Sequence, residues 1–321
     1  MKMIELVKYA KIPIELNKEG VTEIAILTDT GREREIAESL AVAAYKMDLE
    51  PTIVTMVERP VHGLEPTAVM TQAVLGSQLI LNATSTGMAH TECIRNALGL
   101  GKKFIGMPDI TIDTLTKGAA TANYQEVGRI TAAIAKILTD GSEVNITSDF
   151  GTNFTFRIEG RKALELAGVF KPGAIACFPD GESPMAPVEG TANGKLIIDS
   201  SIHQIGRVKE PVTMIVKNGF VTKIEGGSDA QTLLSILKMR GDDNSFNVGE
   251  FAVGTNPCAR VSNNVSEDKK RLGSIHIALG DNLTLGGHTR SITHIDGVMG
   301  FPSLWVDNKQ IIDHGKLLIK H

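Results

Sequence analysis

The chain has 321 residues, of which 42% are hydrophobic and 22% are charged, as is typical of a globular protein with about two domains. A net charge of -4 and an aromatic content of 4% exclude the basic patches and base-stacking surfaces by which proteins bind nucleic acids. No apolar run reaches the roughly 18 residues of a membrane-spanning helix, so we expect neither nucleic acid nor a membrane as a partner.

The cysteines and the N-terminal residues bear on the cellular compartment. Cys93, Cys177 and Cys258 are odd in number, widely spaced and form no CxxC pair, which argues against a disulfide framework or a zinc ribbon. Residues 1–20 mix Lys and Glu with apolar residues and lack the apolar core and cleavage site of a signal peptide. We therefore expect a cytoplasmic protein.

Short apolar runs alternate with helical patterns through the first half of the chain. Strands and helices that alternate at this spacing predict an α/β domain with a parallel sheet flanked by helices. The Asp140-Gly141 pair ends the last of these helices. The predicted strands are residues 23–29, 51–56, 78–84 and 102–107, and the predicted helices are residues 33–47, 66–75, 88–98 and 124–138.

After Gly141 the pattern changes, because Gly and Asn become frequent and strands come in pairs. Asn218-Gly219 is a turn former between two such strands, where positive φ is required. The pattern predicts an α+β domain rich in antiparallel strands, with one helix at residues 229–239. We therefore expect an α/β domain at residues 1–141 and an α+β metal-binding catalytic domain at residues 142–321.

The strand ends of the first half carry polar loops but no phosphate-binding motif. Residues 28–31 and 82–87 match neither GxGxxG nor the P-loop. Their Asp, Ser and Thr residues are typical of helix caps and turns. His90 follows a strand end, which is where ligands bind in parallel sheets, so a structural and a functional role are both open for it.

Four of the eight histidines lie within residues 276–314, and acidic residues are interleaved with them. His294 and Asp296 form an HxD pair, whose side chains share one face of an extended strand. His276 lies in the apolar strand SIHIALG, where an unpartnered imidazole would be costly. Glu250 lies among apolar residues typical of a core, and Glu182 lies in the turn FPDGESP.

Each of these residues, taken singly, has an ordinary structural explanation, such as a strand glutamate that pairs with an arginine. Together they supply three carboxylates and two imidazoles and no thiolate. Nitrogen and oxygen ligands of this kind suit Zn, Co, Mn or Fe rather than a structural sulfur site. The sequence therefore predicts a catalytic metal centre in the second half.

Four ordered segments around these residues resemble a known family. They are FPDGESPMAPVEGTANG, GEFAVGTNP, SIHIALGDN and THIDGV, within residues 177–298. Their order and spacing resemble those of the aminopeptidase T family, which are leucyl aminopeptidase-like metallopeptidases. The resemblance implies a two-metal site at Glu182, Glu250, His276, His294 and Asp296. It also implies a homo-oligomer, because the resembling enzymes are multimeric.

One part of the peptidase site is missing from the sequence. The family has a site tyrosine shortly after the histidine that His276 matches, whereas Asp281, Asn282 and Leu283 occupy that region of this chain. The chain and the stretch between His276 and His294 are also shorter than in the peptidases. These differences weaken the prediction of peptidase activity more than the prediction of metal binding.

The first half resembles another branch of the same superfamily, the iron-dependent dioxygenases that cleave the ring of dihydroxypyridines. The similar segment, LILNATSTGMAHTECIRNALGLGKKFIGMPDI, includes His90 at the place of a histidine that acts on the substrate in those enzymes. They also use the HxD pair, which His294 and Asp296 match. The retained Glu250 and His276 favour the peptidase-like site.

The first hypothesis is therefore a metal-dependent hydrolase that resembles aminopeptidase T and removes N-terminal residues from short peptides or cleaves a small amide. Five protein ligands suit two ions of Zn, Co or Mn about 3.5–4 Å apart. A water bridging the ions would attack the carbonyl group. Glu189, or a carboxylate that bridges the ions, would be the general base.

The second hypothesis is a mononuclear Fe(II) dioxygenase that acts on a small dihydroxypyridine-like molecule. His276, His294 and Asp296 would hold the iron and leave positions open for substrate and oxygen. His90 would act as the acid or base on the hydroxylated ring. A binding or scaffold protein without activity is a third hypothesis, which the five retained ligand-type residues disfavour.

Overall fold

A computed structural model of the protein describes residues 3–61, 63–89, 91–107, 109–172 and 175–320. Contacts within the chain divide it into two compact units. The first unit is Met1–Tyr124 with Leu166–Asp180, and the second is Gln125–Glu165 with Gly181–His321. The chain thus passes between the units more than once, and the division into two domains after residue 141 stays a prediction.

Helices predominate in the first half of the described chain and strands in the second. The α-helices are α1 (Met3–Glu15), α2 (Arg34–Tyr45), α3 (Ala68–Gly76), α4 (Glu92–Gly99), α5 (Ile112–Thr116), α6 (Tyr124–Asp140), α7 (Ser228–Met239) and α8 (Val265–Asp268). The strands up to residue 202 are β1 (Glu23–Asp29), β2 (Glu50–Met56), β3 (Leu79–Asn82), β4 (Lys103–Gly106), β5 (Glu143–Thr147), β6 (Asn153–Arg157), β7 (Ala176–Cys177), β8 (Glu182–Met185), β9 (Asn193–Ile198) and β10 (Ser201–Ile202). The later strands are β11 (Gly206–Arg207), β12 (Val212–Lys217), β13 (Phe220–Glu225), β14 (Val248–Gly254), β15 (Ile275–Gly280), β16 (His294–Met299), β17 (Ser303–Val306), β18 (Lys309–Asp313) and β19 (Lys316–Leu317).

The first unit is built on a parallel five-stranded sheet in the order β2-β1-β3-β4-β7. Ile26 on β1 lies opposite Ile53 of β2 and Leu81 of β3. Ile26 and Leu81 are fully buried, as expected where helices cover both faces of a parallel sheet. The predicted parallel sheet flanked by helices is confirmed.

One helix of this unit starts at a clearly different residue from the predicted one, and its N-terminal cap explains the difference. Helix α4 begins at Glu92 rather than near Met88, because the Thr91 hydroxyl accepts a hydrogen bond from the backbone N–H of Ile94 and caps the helix there. Helix α1 was not predicted, since its mixed charged and apolar residues include Pro13. No described helix combines the length and apolar character needed to cross a bilayer.

The second unit contains two sheets of mainly antiparallel hairpins. Eight strands form one sheet in the order β13-β12-β9-β6-β5-β17-β18-β19, and six form the other in the order β11-β10-β16-β15-β14-β8. The turn between β12 and β13 has Asn218 at φ +49° and Gly219 at φ +83°, the positive values that a two-residue hairpin turn needs. The predicted α+β arrangement of antiparallel strands is confirmed.

One apolar cluster draws buried side chains from both of these sheets and from α6 and α7. Within it Phe156 of β6 and Phe251 of β14 meet edge to face, with ring centroids 5.1 Å apart and an interplanar angle of 61°. Both rings are buried, and burial of such a side chain contributes about 1.5–3 kcal/mol. The cluster therefore anchors strand β14, which also carries Glu250.

Replacing Phe251 by alanine should lower the free energy of unfolding of the second unit by about 3–5 kcal/mol, because it removes a buried ring and leaves a cavity. Chemical denaturation followed by circular dichroism measures this loss. Phe150→Ala is the matched control, since the Phe150 side chain is 54% exposed, and it should cost less than about 1 kcal/mol. Equal losses for the two variants would contradict the assigned core.

Candidate metal centre

The register of three neighbouring strands brings four of the predicted ligands to one face of the six-stranded sheet. Glu250 of β14 lies opposite Ala278 of β15, which in turn lies opposite Asp296 of β16. Alternate residues of a strand share a face. His276 therefore lies on the same face of β15 as Ala278, and His294 lies on the same face of β16 as Asp296. The small side chain of Ala278 leaves room between the two carboxylates.

Glu182 reaches the same face from β8. It lies opposite Gly254 of β14, which is an even number of positions from Glu250, so the two glutamates share a face. The other face of these strands is apolar, and its residues, such as Phe251 and Ile277, belong to the core cluster. One face of the sheet thus packs into the apolar core, and the other face carries the acidic and imidazole groups.

Three residues form the most compact group of possible ligands. Atoms of Glu250, His294 and Asp296 lie within 4.8 Å of one another, the one such group of three found among the described residues. His294 Nε2 is 2.8 Å from Glu250 Oε2 and 3.4 Å from Asp296 Oδ1. The His294 side chain is 40% exposed, whereas the two carboxylates are buried. The group is therefore reached from the side of His294.

Each of these residues is held at one polar atom and presents another to the group. His294 Nδ1 lies 3.1 Å from the carbonyl oxygen of Asp281. A carbonyl can only accept, so Nδ1 carries a proton, and Nε2 is the atom that would bind a metal ion after losing its own proton. Glu250 Oε1 lies 3.1 Å from His276 Nε2, and Asp296 Oδ2 accepts from Lys269 Nζ at 2.9 Å.

His276 and Glu182 form the deeper part of the cluster. His276 is fully buried, and its Nε2 is 3.5 Å from Glu182 Oε2. Glu182 Oε1 lies 2.5 Å from Lys270 Nζ, and both side chains are 5% exposed. Lys269 Nζ lies 3.8 Å from Glu182 Oε2. The structure therefore brings all five predicted ligands together, with two lysines among them that sequence reasoning missed.

Opposite charges keep this buried cluster ionised. Burial disfavours the charged form of each group and so raises the pKa of Glu250. The hydrogen bonds and charges of His276 and His294 outweigh this effect and hold the pKa of Glu250 well below its usual range. Against the same burial, Lys269 and His294 hold the pKa of Asp296 well below its usual range. The carboxylates around Lys269 in turn hold its pKa well above the ordinary value.

Unpartnered buried atoms show that the residues fit a divalent metal ion. Asp296 Oδ1, Glu182 Oε2 and His276 Nδ1 are buried and have no hydrogen-bond partner among the described residues. Leaving such atoms unsatisfied costs about 1–3 kcal/mol each, more for charged groups. Asp296 Oδ1 belongs to the compact group, where a cation would satisfy it. Two carboxylates and one imidazole are suitable ligands for such an ion.

The two lysines are placed by a short segment between β14 and β15. Lys269 directly follows helix α8, and the backbone carbonyl of Lys270 accepts from the N–H of Asn256 at 2.8 Å. Arg260 binds the buried carboxylate of Glu267 through two nitrogens, at 3.0 Å each. The run EDKKR resembles a solvated charged surface, and only its position between two ligand-bearing strands could have indicated a role.

Glu189, the predicted general base, has other partners. Its carboxylate accepts from Asn282 Nδ2 at 2.9 Å, from the backbone N–H of His288 at 2.7 Å and from the Arg161 guanidinium. Partial burial raises its pKa, but these donors outweigh that effect and lower it. Among the described residues no hydrogen bond or ion pair joins Glu189 to the five predicted ligands, and its role in catalysis stays a prediction. His90 lies outside the described residues.

Comparison with known proteins decides the family. A family model described as NicX, 2,5-dihydroxypyridine 5,6-dioxygenase, matches residues 15–319. The chain belongs to the NicX family. A 2,5-dihydroxypyridine 5,6-dioxygenase of Pseudomonas putida is 22% identical over 204 residues, which are 58% of this chain and 57% of that relative. The aligned part thus spans just over half the length of this relative.

Two solved structures share the fold along the whole chain. The 2,5-dihydroxypyridine dioxygenase of Pseudomonas putida KT2440 superposes with a TM-score of 0.83 at 17% identity, covering 100% of this chain and 99% of that one. Aminopeptidase T (AmpT) of Thermus thermophilus superposes with a TM-score of 0.71 at 13% identity, covering 98% and 99%. The predicted relationship to the superfamily is confirmed by the family match, which describes an enzyme family, and the likeness to aminopeptidase T shows a shared fold.

Replacing His294 by alanine should weaken divalent metal binding by more than about 100-fold, since losing even an outer partner of a ligand costs about 10–100-fold. Isothermal titration of the metal-free protein with Mn²⁺ measures the affinity. His288→Ala is the matched control, because only the backbone N–H of His288 contacts Glu189 and the variant keeps it. An unchanged affinity in His294→Ala would show that His294 is not a ligand of the metal ion.

Proposed function

We propose that this NicX family member is a mononuclear, Fe(II)-dependent ring-cleaving dioxygenase that acts on a dihydroxypyridine-like aromatic compound. The observation that carries the proposal is the match of the family model to residues 15–319. The name of the Pseudomonas putida relative supports the same class of substrate. The second sequence hypothesis is thereby better supported than the first, hydrolytic one, for which the likeness to aminopeptidase T concerns the fold alone.

The compact group of three residues supports this assignment. Glu250, His294 and Asp296 would hold the iron, and a set of three protein ligands leaves positions open for substrate and oxygen. Bound Fe(II) would supply the redox chemistry that lets oxygen react with an electron-rich ring. Glu250 thus replaces His276 in the triad that the sequence predicted, because Glu250 lies with His294 and Asp296 within 4.8 Å.

The remaining contacts would orient these three ligands. The Asp281 carbonyl accepts the proton of His294 Nδ1, so that Nε2 would be the atom that binds the ion. His276 Nε2 lies against Glu250 Oε1, and Lys269 Nζ donates to Asp296 Oδ2. Each carboxylate therefore keeps one oxygen directed toward His294, and partners of this kind tune a metal site.

The purified protein loaded with Fe²⁺ without oxygen should consume one O₂ per molecule of 2,5-dihydroxypyridine after exposure to air. An oxygen electrode and the loss of the ring absorbance measure the reaction. The same protein loaded with Zn²⁺ or Co²⁺ and offered leucine p-nitroanilide is the comparison, and it should release no nitroaniline. Hydrolysis of the anilide without any oxygen uptake would reverse the choice between the two hypotheses.

The role of His90 as acid or base on the ring remains a prediction from the resemblance, and a variant tests it. His90→Ala should lower the ring-cleavage rate by about 10²–10⁴-fold, the usual contribution of a general acid or base, with unchanged iron content. Iron analysis and oxygen uptake on the same sample separate the two effects. His203→Ala should keep both properties. Full activity of His90→Ala would exclude this role.

A small-molecule substrate is consistent with the family. The predicted cytoplasmic location and the homo-oligomer stay predictions. They are tested by fractionation and by light scattering of the purified protein, respectively.

A further inference from the structure

We propose that a groove on the outer face of the eight-stranded sheet binds a small organic cation with a planar head group that carries N–H donors, such as a guanidinium. This Trp305 groove is formed mainly by Glu143, Asn145 and Thr147 of β5, Trp305 of β17 and Asp307 of the turn after β17. Its volume is about 560 Å³, and small-molecule sites usually measure about 300–1,000 Å³. The proposal goes beyond the proposed function, because it involves neither the metal ion nor the aromatic substrate.

The alternation of β5 and β17 turns the groove away from the core. Val144 and Val306, which lie opposite each other on these strands, belong to the apolar cluster. Neighbouring residues of a strand point to opposite faces, so Asn145 and Trp305 lie on the outer face. The ligands of the metal centre lie on a different sheet, on the face that is likewise turned away from this cluster. The groove and the metal centre are therefore separate sites.

Trp305 gives the groove an aromatic surface. It is the single tryptophan of the chain, and its side chain is partly exposed. No ring or cation among the described residues stacks on its indole. The face of tryptophan attracts cations more strongly than that of other aromatic residues, and a planar guanidinium stacks well on such a face. The ring is thus available to a cation from outside the chain.

The side chains of β5 in the groove add hydrogen-bond acceptors. Asn145 lies directly opposite Trp305 in the antiparallel ladder, and its Oδ1 is buried without a hydrogen-bond partner among the described residues. An unsatisfied buried acceptor is costly, so it favours a ligand that donates. Glu143 is exposed. Arg157, which lies opposite Glu143 on β6, pairs with Glu159.

Asp307 adds a second carboxylate at one end of the groove. Its Oδ1 accepts from the backbone N–H groups of Ser142 at 3.1 Å and Glu143 at 2.9 Å. Asp307 and Asn308 have φ values of +48° and +66°, the positive values of a two-residue hairpin turn. Lysine and arginine are absent from the described residues that line the groove. The hairpin therefore fixes a negative charge there that no lining residue balances.

These features together select the class of ligand. A neutral sugar could stack on Trp305 but would leave the two carboxylates unbalanced. A quaternary ammonium would balance charge but has no N–H for Asn145 Oδ1. A guanidinium is planar and positively charged and carries several N–H donors, so it can stack on Trp305 and donate to Asn145 and Glu143. Hydrogen bonds with a charged donor are also stronger than neutral ones.

Tryptophan fluorescence tests the groove directly, because Trp305 is the single tryptophan of the chain. Methylguanidinium chloride at millimolar concentration should change the emission of the purified full chain saturably, relative to potassium chloride at equal ionic strength. Methylurea, a neutral analogue of similar shape, should bind at least about tenfold more weakly, since it lacks the charge and the charged hydrogen bonds. Equal binding of the two compounds would overturn the proposal. So would the absence of a saturable response to methylguanidinium, whether or not methyl glucoside gives one.

Variants assign the binding to named side chains, with calorimetry as the measurement. Glu143→Gln, at an exposed site, should weaken methylguanidinium binding about two- to fivefold. Asn145→Leu removes the buried acceptor and should weaken it about tenfold, whereas Asn145→Asp keeps an acceptor oxygen and should bind at least as well as the wild type. The matched control is Glu225→Gln on β13, at the far edge of the same sheet, which should leave the affinity unchanged.

An unchanged affinity in Glu143→Gln, or in a folded Asn145→Leu variant, would overturn the proposal. Glu143 is exposed, so its replacement tests the groove even if the Asn145 variant does not fold. Neither metal nor oxygen enters these measurements. A failure of the dioxygenase assignment therefore leaves their outcome unaffected.

Discussion

The antiparallel register of β8, β14, β15 and β16 is the constraint on which the candidate centre depends. It places one set of alternate residues in the apolar core and the other set, with the acidic groups and imidazoles, on the opposite face. A shift of one residue would exchange the two faces. Such a shift would expose Phe251 and bury Glu250 in the core, so the energy of core packing also fixes the position of the ligands.

The charges on that face explain how buried carboxylates remain ionised without leaving the cluster unstable. Each carboxylate has a cation or an imidazole within 4 Å, and the pKa values of Glu250 and Asp296 are lowered despite burial. The same contacts occupy one oxygen of each ligand and leave the other available. The two lysines are thus part of the buried cluster in the same way as the acidic residues with which they pair.

The fold is shared by a dioxygenase and by aminopeptidase T, so it does not by itself decide the chemistry. The donor atoms are compatible with hydrolysis or with oxygen chemistry, and in the sequence the retained Glu250 and His276 favour the peptidase-like site. The family match changes that interpretation, and in the structure Glu182 pairs with Lys270 while His276 lies against Glu250. Residue types alone predict a metal centre, whereas the proposed chemistry rests on the family match.

The sequence by itself determined the local features: the strands, the Asn218-Gly219 turn, the common face of His294 and Asp296, and the set of five ligand-type residues. These follow from periodicity and turn chemistry, which act over a few residues. Only the tertiary structure decided that Glu250 joins the HxD pair, that the EDKKR lysines are buried and that Glu189 pairs with Arg161. Those contacts join residues far apart in sequence, so they depend on strand register and on loop paths that no local pattern specifies.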